Sequence, residues 1–192
     1  MRRDPHRKRR IVHAAAELFA AQGYHGVGMS QLEKAVDLQR GALYHHIGNK
    51  EALLYEIAVS PLQEMVRLAS EIAARIDDPE ERFRELARAI LVNVADNRHE
   101  WTVHYRDFGS LTGERLETVL ALRGEYEQIW RDTLRAGIER GRFVAPDVDL
   151  TTRGILGMFN HTWLWLEPDG AVDPREIADR YCDLFLTGIR AG

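Results

Sequence analysis

A single cysteine, Cys182, rules out an internal disulfide and any zinc site built on sulfur ligands, and it fits a reducing, cytoplasmic setting. Long apolar runs are missing as well. The best uncharged stretch, residues 154–166, has 13 residues and is broken by Asn160 and His161, well short of the ~20 needed to span a membrane. No alternating Val/Ile/Thr pattern of strand type occurs, and there is no internal repeat or low-complexity tract. The basic start (Arg2, Arg3, Arg7, Lys8, Arg9, Arg10) leads into neither an apolar leader core nor a small-residue cleavage site, so no export signal is expected. These gaps leave a globular, helical chain with 45% hydrophobic and 29% charged residues.

The charge is unevenly spread. Residues 1–50 hold nine Lys or Arg against four acids, whereas the rest holds 17 against 26, so a net charge of −4 conceals a basic quarter on an acidic body. Five of the eight histidines (6, 13, 25, 45 and 46) lie in that quarter. Such asymmetry points to a polyanion-binding end.

About nine helices are expected. Ile11, Ala14, Ala15, Leu18 and Phe19 form the stripe of a first helix that Gly23 ends in a left-handed cap. Short helices follow over Leu32 to Ala35 and Gly41 to His46, separated by a turn at Val36, Asp37 and Leu38. Lys50 opens a long helix in which Pro61 predicts a kink or boundary. Further helices are expected after Pro79, over Trp101 to Leu111, over Glu114 to Arg140, from Asp149 or Thr151 toward Glu167, and from Pro174 onward, with a loop at Arg142 to Asp149.

Three enzyme-like motifs fail on geometry. His99 and His104 resemble a zinc-protease pair but sit at i, i+5, about 140° apart around a helix, and cannot converge on one ion. Gly26-Val27-Gly28 lacks the third glycine of a dinucleotide loop, and Gly28-Met29-Ser30 lacks the last glycine of a nucleophile elbow. No cofactor is expected.

The constellation that holds together is 32–50. Leu32, Ala35, Leu38 and Leu43 supply a small core for a helix-turn-helix whose second helix enters the DNA major groove. Arg40 offers a bidentate contact to a guanine edge, Gly41 and Ala42 permit close approach, and Tyr44, His45 and Lys50 carry donors for phosphates. Arg9, Ser30 and Gln39 complete the candidate DNA contacts.

Ala14-Ala15-Ala16-Glu17-Leu18-Phe19-Ala20-Ala21-Gln22-Gly23-Tyr24, Gly41-Ala42-Leu43-Tyr44-His45-His46-Ile47 and Lys50-Glu51-Ala52-Leu53-Leu54 resemble the DNA-binding domain of the TetR family of bacterial regulators, over about residues 8 to 55. The resemblance implies an all-α homodimeric repressor, with DNA-binding residues 1–50 and a ligand-binding and dimerisation body over 51–192, released from a palindromic operator by a small molecule. Three positions depart from the family pattern: Glu33 replaces a usual Ala, Val36-Asp37 a usual Ala-Gly, and Gln39 a usual Ser or Thr. Asp37 tolerates a left-handed turn, and Ser30 with Glu33 has capping-box spacing, although the family register starts that helix near Gly28.

The segment 160–170 is similar to one in TetR-type regulators of fatty-acid and sterol catabolism, which respond to acyl-CoA thioesters, but it lacks their basic residues near Leu164 and Glu167. The effector is therefore expected to be a small apolar molecule, first of all an acyl chain or acyl-CoA. Trp101, His104, Tyr105, Phe108, Met158, Asn160 and Trp163 are its candidate contacts. Leu156 and Phe159, with Tyr181, Leu184, Phe185 and Ile189, are the candidate dimer face. The competing reading is a helical lipid carrier or enzyme with a basic arm.

Overall fold

The computed structural model describes residues 5–145, 147–168 and 170–189; Arg2 and Arg3, the His6 side chain, Pro146 and Asp169 lie outside them. Among the described residues there are nine α-helices and no strand: α1 (Pro5–Gln22), α2 (Met29–Val36), α3 (Arg40–Ile47), α4 (Lys50–Arg75), α5 (Pro79–Asp96), α6 (Arg98–Asp107), α7 (Gly113–Glu139), α8 (Val148–Asn160) and α9 (Pro174–Ile189).

Local chemistry sets the ends. Gly23, at φ +80°, closes α1 as its spacing predicts. Ser30 does not cap α2. Gly28 is the N-cap and donates its N–H to the Gln31 side chain at 2.7 Å, because Gln31, not Glu33, stands three residues on. Pro61 neither breaks nor ends α4. It removes a single N–H from a 26-residue helix whose buried face continues through Leu62, Met65 and Ala69. The stretch 108–110 tightens into a 3-10 turn after α6, and His161 to Leu164 does so after α8, so both helices are shorter than their apolar patterns suggest. The α8 start falls at Val148 because the Asp147 carboxylate accepts the Leu150 N–H at 2.9 Å.

The chain separates into two compact units, residues 1–62 with 97–120 and residues 63–96 with 121–192. In the first, α1, α2, α3 and the start of α4 share a core of Ile11, Ala15, Phe19, Leu32, Leu43, Leu53, Leu54 and Ile57, and α6 packs along α1. In the second, α9 packs along α5 over Phe83, Leu86, Ile90, Ala178, Cys182 and Leu186. There Trp130 sits between Phe83 and Phe159, at ring distances of 5.3 and 5.7 Å. Burial pushes the Cys182 thiol up to about 12, so it is inert at neutral pH.

Candidate nucleic-acid interface

The turn between α2 and α3 is built on Asp37, the one described non-glycine residue with positive φ, at φ 50°, ψ 53°. Its conformation lets the Leu38 N–H reach the Glu33 carbonyl at 3.0 Å, closing α2 and redirecting the chain into α3. Leu43 and Ile47 anchor α3 in the core, with Leu32 and Val27 beneath; Leu38 is only half-buried. Ala35 faces outward, so it is not part of that small core.

The remaining face of α3 is open. Gln39, Arg40, Gly41, Ala42, Tyr44 and His45 are all exposed, as are Arg9 of α1 and Ser30 of α2. A Cβ at Gly41 would meet no atom within 4 Å, so this position leaves room for a close partner rather than for packing inside the chain. Lys50 behaves differently. Its ammonium lies over the Tyr24 ring at 4.3 Å and the Phe19 ring at 5.8 Å, and partial burial lowers its pKa while the Asp107 charge opposes the change.

Arg40 is not free in front of the helix. Its Nε lies 3.2 Å from Oε1 of Glu33 on α2. That oxygen is buried and takes no aligned hydrogen bond, so the contact is an ion pair approached off-line.

A polar latch ties α1 to α6. The Arg106 guanidinium donates to the carbonyls of Phe19 and Ala20 in the last turn of α1, the latter at 2.9 Å, where unpaired carbonyls favour a cation. Asp107 holds the same guanidinium at 3.0 Å and accepts the Tyr24 N–H at 3.4 Å. Further along, His13 meets Glu100 at 3.1 Å, and Glu51 accepts both donors of Thr112 at 3.1 Å. None of these partners is legible in the sequence.

The candidate effector residues divide between the units. In the first unit Trp101 stacks on Tyr105 at 5.5 Å and His104 on Phe108 at 5.7 Å, while the buried His104 Nδ1 lies 2.8 Å from the Ala58 carbonyl. His99 is exposed, so the two histidines occupy different environments. Among the described residues no cluster of three His, Cys, Asp or Glu side chains is placed to hold a metal. In the second unit Met158, Asn160 and Trp163 are half-buried. Asn160 Oδ1 is buried without a partner among the described residues, as are Trp130 Nε1 and Tyr126 Oη. Burial pushes the Tyr126 hydroxyl pKa up and the nearby Trp130 indole pulls the other way, yet the two do not reach hydrogen-bond alignment.

Two residues proposed for a dimer face are elsewhere. Leu156 and Phe159 are buried inside their own unit, Phe159 against Trp130 and Tyr181, because the apolar stripe of α8 is consumed by this chain's core. Tyr181, Phe185 and Ile189 are half-buried and Leu184 is open. No described helix is long and apolar enough to cross a membrane.

Comparison with known proteins agrees with this geometry. Residues 11–57 match the family model of bacterial regulatory proteins of the tetR family, and residues 76–189 match that of the tetracyclin repressor-like C-terminal domain. The HTH-type transcriptional repressor KstR2 of Rhodococcus jostii (strain RHA1) is 26% identical over 186 residues, covering 95% of this chain and 91% of its own. The solved TetR family transcriptional regulator PfmR from Thermus thermophilus superposes with a TM-score of 0.88 at 35% identity, over 93% of this chain and 97% of its own. AibR, solved in complex with isovaleryl coenzyme A and operator DNA, does so with a TM-score of 0.83 at 27% identity, over 93% and 97%. Regulator models at both ends of the chain disfavour the carrier reading.

Proposed function

The chain belongs to the TetR family of bacterial regulatory proteins, and we propose that it is a cytoplasmic homodimeric repressor that grips a palindromic operator with α3 of each subunit and lets go when a small acyl effector binds its body. The observation that carries the DNA reading is the division of α3, with Leu43 and Ile47 sealed in the core and Gln39 to Ala42, Tyr44 and His45 all presented outward. Arg9, Ser30, Tyr44 and Lys50 position the backbone, and Arg40 reads a base edge.

Arg40→Ala is expected to cost ~1–3 kcal/mol on the operator and to relax specificity, because it removes a base-edge contact. Lys50→Ala is expected to weaken all sequences alike and to lower the salt slope by about 0.9 per subunit. Lys50 also rests on Tyr24, so a melting curve separates lost stability from lost phosphate contact. Binding titrations on operator and random duplexes from 50 to 200 mM salt read both. Wild-type affinities and slope for Arg40→Ala would remove α3 from the groove.

Two observations support the effector reading: AibR was solved with an acyl-CoA, and Tyr126, Trp130 and Asn160 each keep a buried polar atom unpaired within an aromatic body. A ligand that is mostly apolar but has a carbonyl and a hydroxyl or amide N–H satisfies such groups. Isovaleryl- and longer acyl-CoAs are expected to quench tryptophan fluorescence and to weaken operator binding by about five- to 150-fold, the usual range of coupling between two sites. A panel of acyl-CoAs and free fatty acids that moved neither signal would overturn the effector class and leave the DNA reading intact.

A further inference from the structure

Glu33 puts a carboxylate against the first residue of the helix read as DNA-contacting, where a negative charge opposes phosphate binding. It projects from α2 beneath Arg40, with its side chain 24% exposed against 65% for Arg40, and Oε1 contacts Nε of the guanidinium at 3.2 Å. Among the described residues no other acceptor takes the guanidinium. The ion pair at Nε leaves Nη1 and Nη2 without an acceptor among the described residues, and these two nitrogens are the pair of donors that matches O6 and N7 of guanine. An unpaired arginine would instead be a mobile cation, at home on any phosphate.

We propose that Glu33 is a specificity-determining positioning residue: it clamps the side of the Arg40 fork, leaving the two terminal nitrogens for one base edge and cancelling the charge that would bind DNA of any sequence. This rests on the reading of α3 as the recognition helix. Two effects follow from one carboxylate. The operator complex gains because the arginine is ordered in advance, and the random complex loses because each subunit presents one cation fewer to the phosphates.

The test uses the full-length protein and two fluorescent duplexes of equal length, one selected from a random pool by the wild-type protein and one of random sequence, between 50 and 200 mM salt. Glu33→Gln keeps the shape and removes the charge. On the random duplex its binding is expected to tighten and its salt slope to steepen by about 0.9 per subunit. On the selected duplex it is expected to weaken by about two- to twelvefold, the cost of ordering a loosened long side chain. Arg40→Lys keeps the charge without the fork and is expected to lose discrimination even with Glu33 in place. In the Arg40→Ala background Glu33→Gln is expected to leave discrimination between the two duplexes unchanged, since any relief of phosphate repulsion acts on both alike. Unchanged slope and discrimination in Glu33→Gln, wild-type discrimination in Arg40→Lys, or a Glu33→Gln effect on discrimination that persists without Arg40 would each overturn the proposal. If Arg40→Ala still lowers discrimination in those cases, the recognition-helix reading stands. If Arg40→Ala binds both duplexes as wild type does, both readings fall.

Discussion

Gly137→Ala is expected to lower the stability of the second unit by about 1–3 kcal/mol, or more if the ring it meets cannot move. A Cβ built on Gly137 would lie 2.0 Å from Cδ2 and 2.4 Å from Cε2 of Phe143, and those atoms belong to a rigid ring rather than to the end of a flexible chain. The ring is held there by the backbone. Gly141, at φ +67°, ends α7, and the N–H groups of Arg142 and Phe143 both turn back to the Gly137 carbonyl, at 2.8 and 3.1 Å. Phe143 is buried and stands 6.5 Å from Phe83, which in turn lies against Trp130, so a displaced ring disturbs the aromatic centre of the unit.

For a chain of this size each 1 kcal/mol moves Tm by ~2–4 °C, so calorimetry should find a fall of roughly 2–12 °C. The control is a change of sign. Phe143→Ala alone is expected to cost ~3–5 kcal/mol through its cavity. With the ring gone, adding Gly137→Ala should stabilise by up to ~1 kcal/mol, the ordinary preference of a helix for alanine over glycine. Additive losses in the double variant would contradict the contact.

Gly137 also illustrates what the sequence leaves unread. Inside α7 it registers only as a weak helix former, since its purpose depends on a ring six residues later and on the loop that folds it back. Periodicity carried the helices and their buried stripes, because a face repeating every 3.6 residues is local information. It also carried the helix-turn-helix, where Asp37 adopts the left-handed turn its short side chain allows. Charge pairing was not legible. Glu33 beneath Arg40, Arg106 on the carbonyls of Phe19 and Ala20, and Glu51 on Thr112 are partnerships that only the folded chain assembles. Apolar stripes likewise do not say which neighbour covers them. For that reason Leu156 and Phe159 read like an outer face and turned out to be this chain's own core.

Leu184→Glu is expected to convert a dimer of about twice 22.0 kDa into a 22.0 kDa monomer in sedimentation at micromolar concentration. Leu184 is 70% exposed on α9, and on α8 and just beyond it Leu150, Leu164 and Trp165 are exposed at 67%, 48% and 46%. Cβ atoms added at Gly154, Gly157 and Gly188 would meet nothing within 4 Å, so both helices carry open, close-approach positions beside the apolar ones. Leu184 on α9 and Leu150 on α8 are large apolar side chains that a partner would cover, and the two-fold copy proposed above supplies one while spacing two recognition helices for successive major grooves. Because Leu184 makes little use of its own chain's core, the charge should change the intrinsic stability of the subunit by no more than ~0.5 kcal/mol, so the monomer stays folded and its melting temperature loses only what association adds. Operator affinity should nevertheless fall by about 10²–10⁴, the avidity lost when two half-sites are no longer engaged together. Leu120→Glu, at a 49% exposed leucine on α7 in the first unit, serves as the control and should keep the dimer. A Leu184→Glu protein that stayed dimeric with wild-type operator affinity would place the subunit contact on another face.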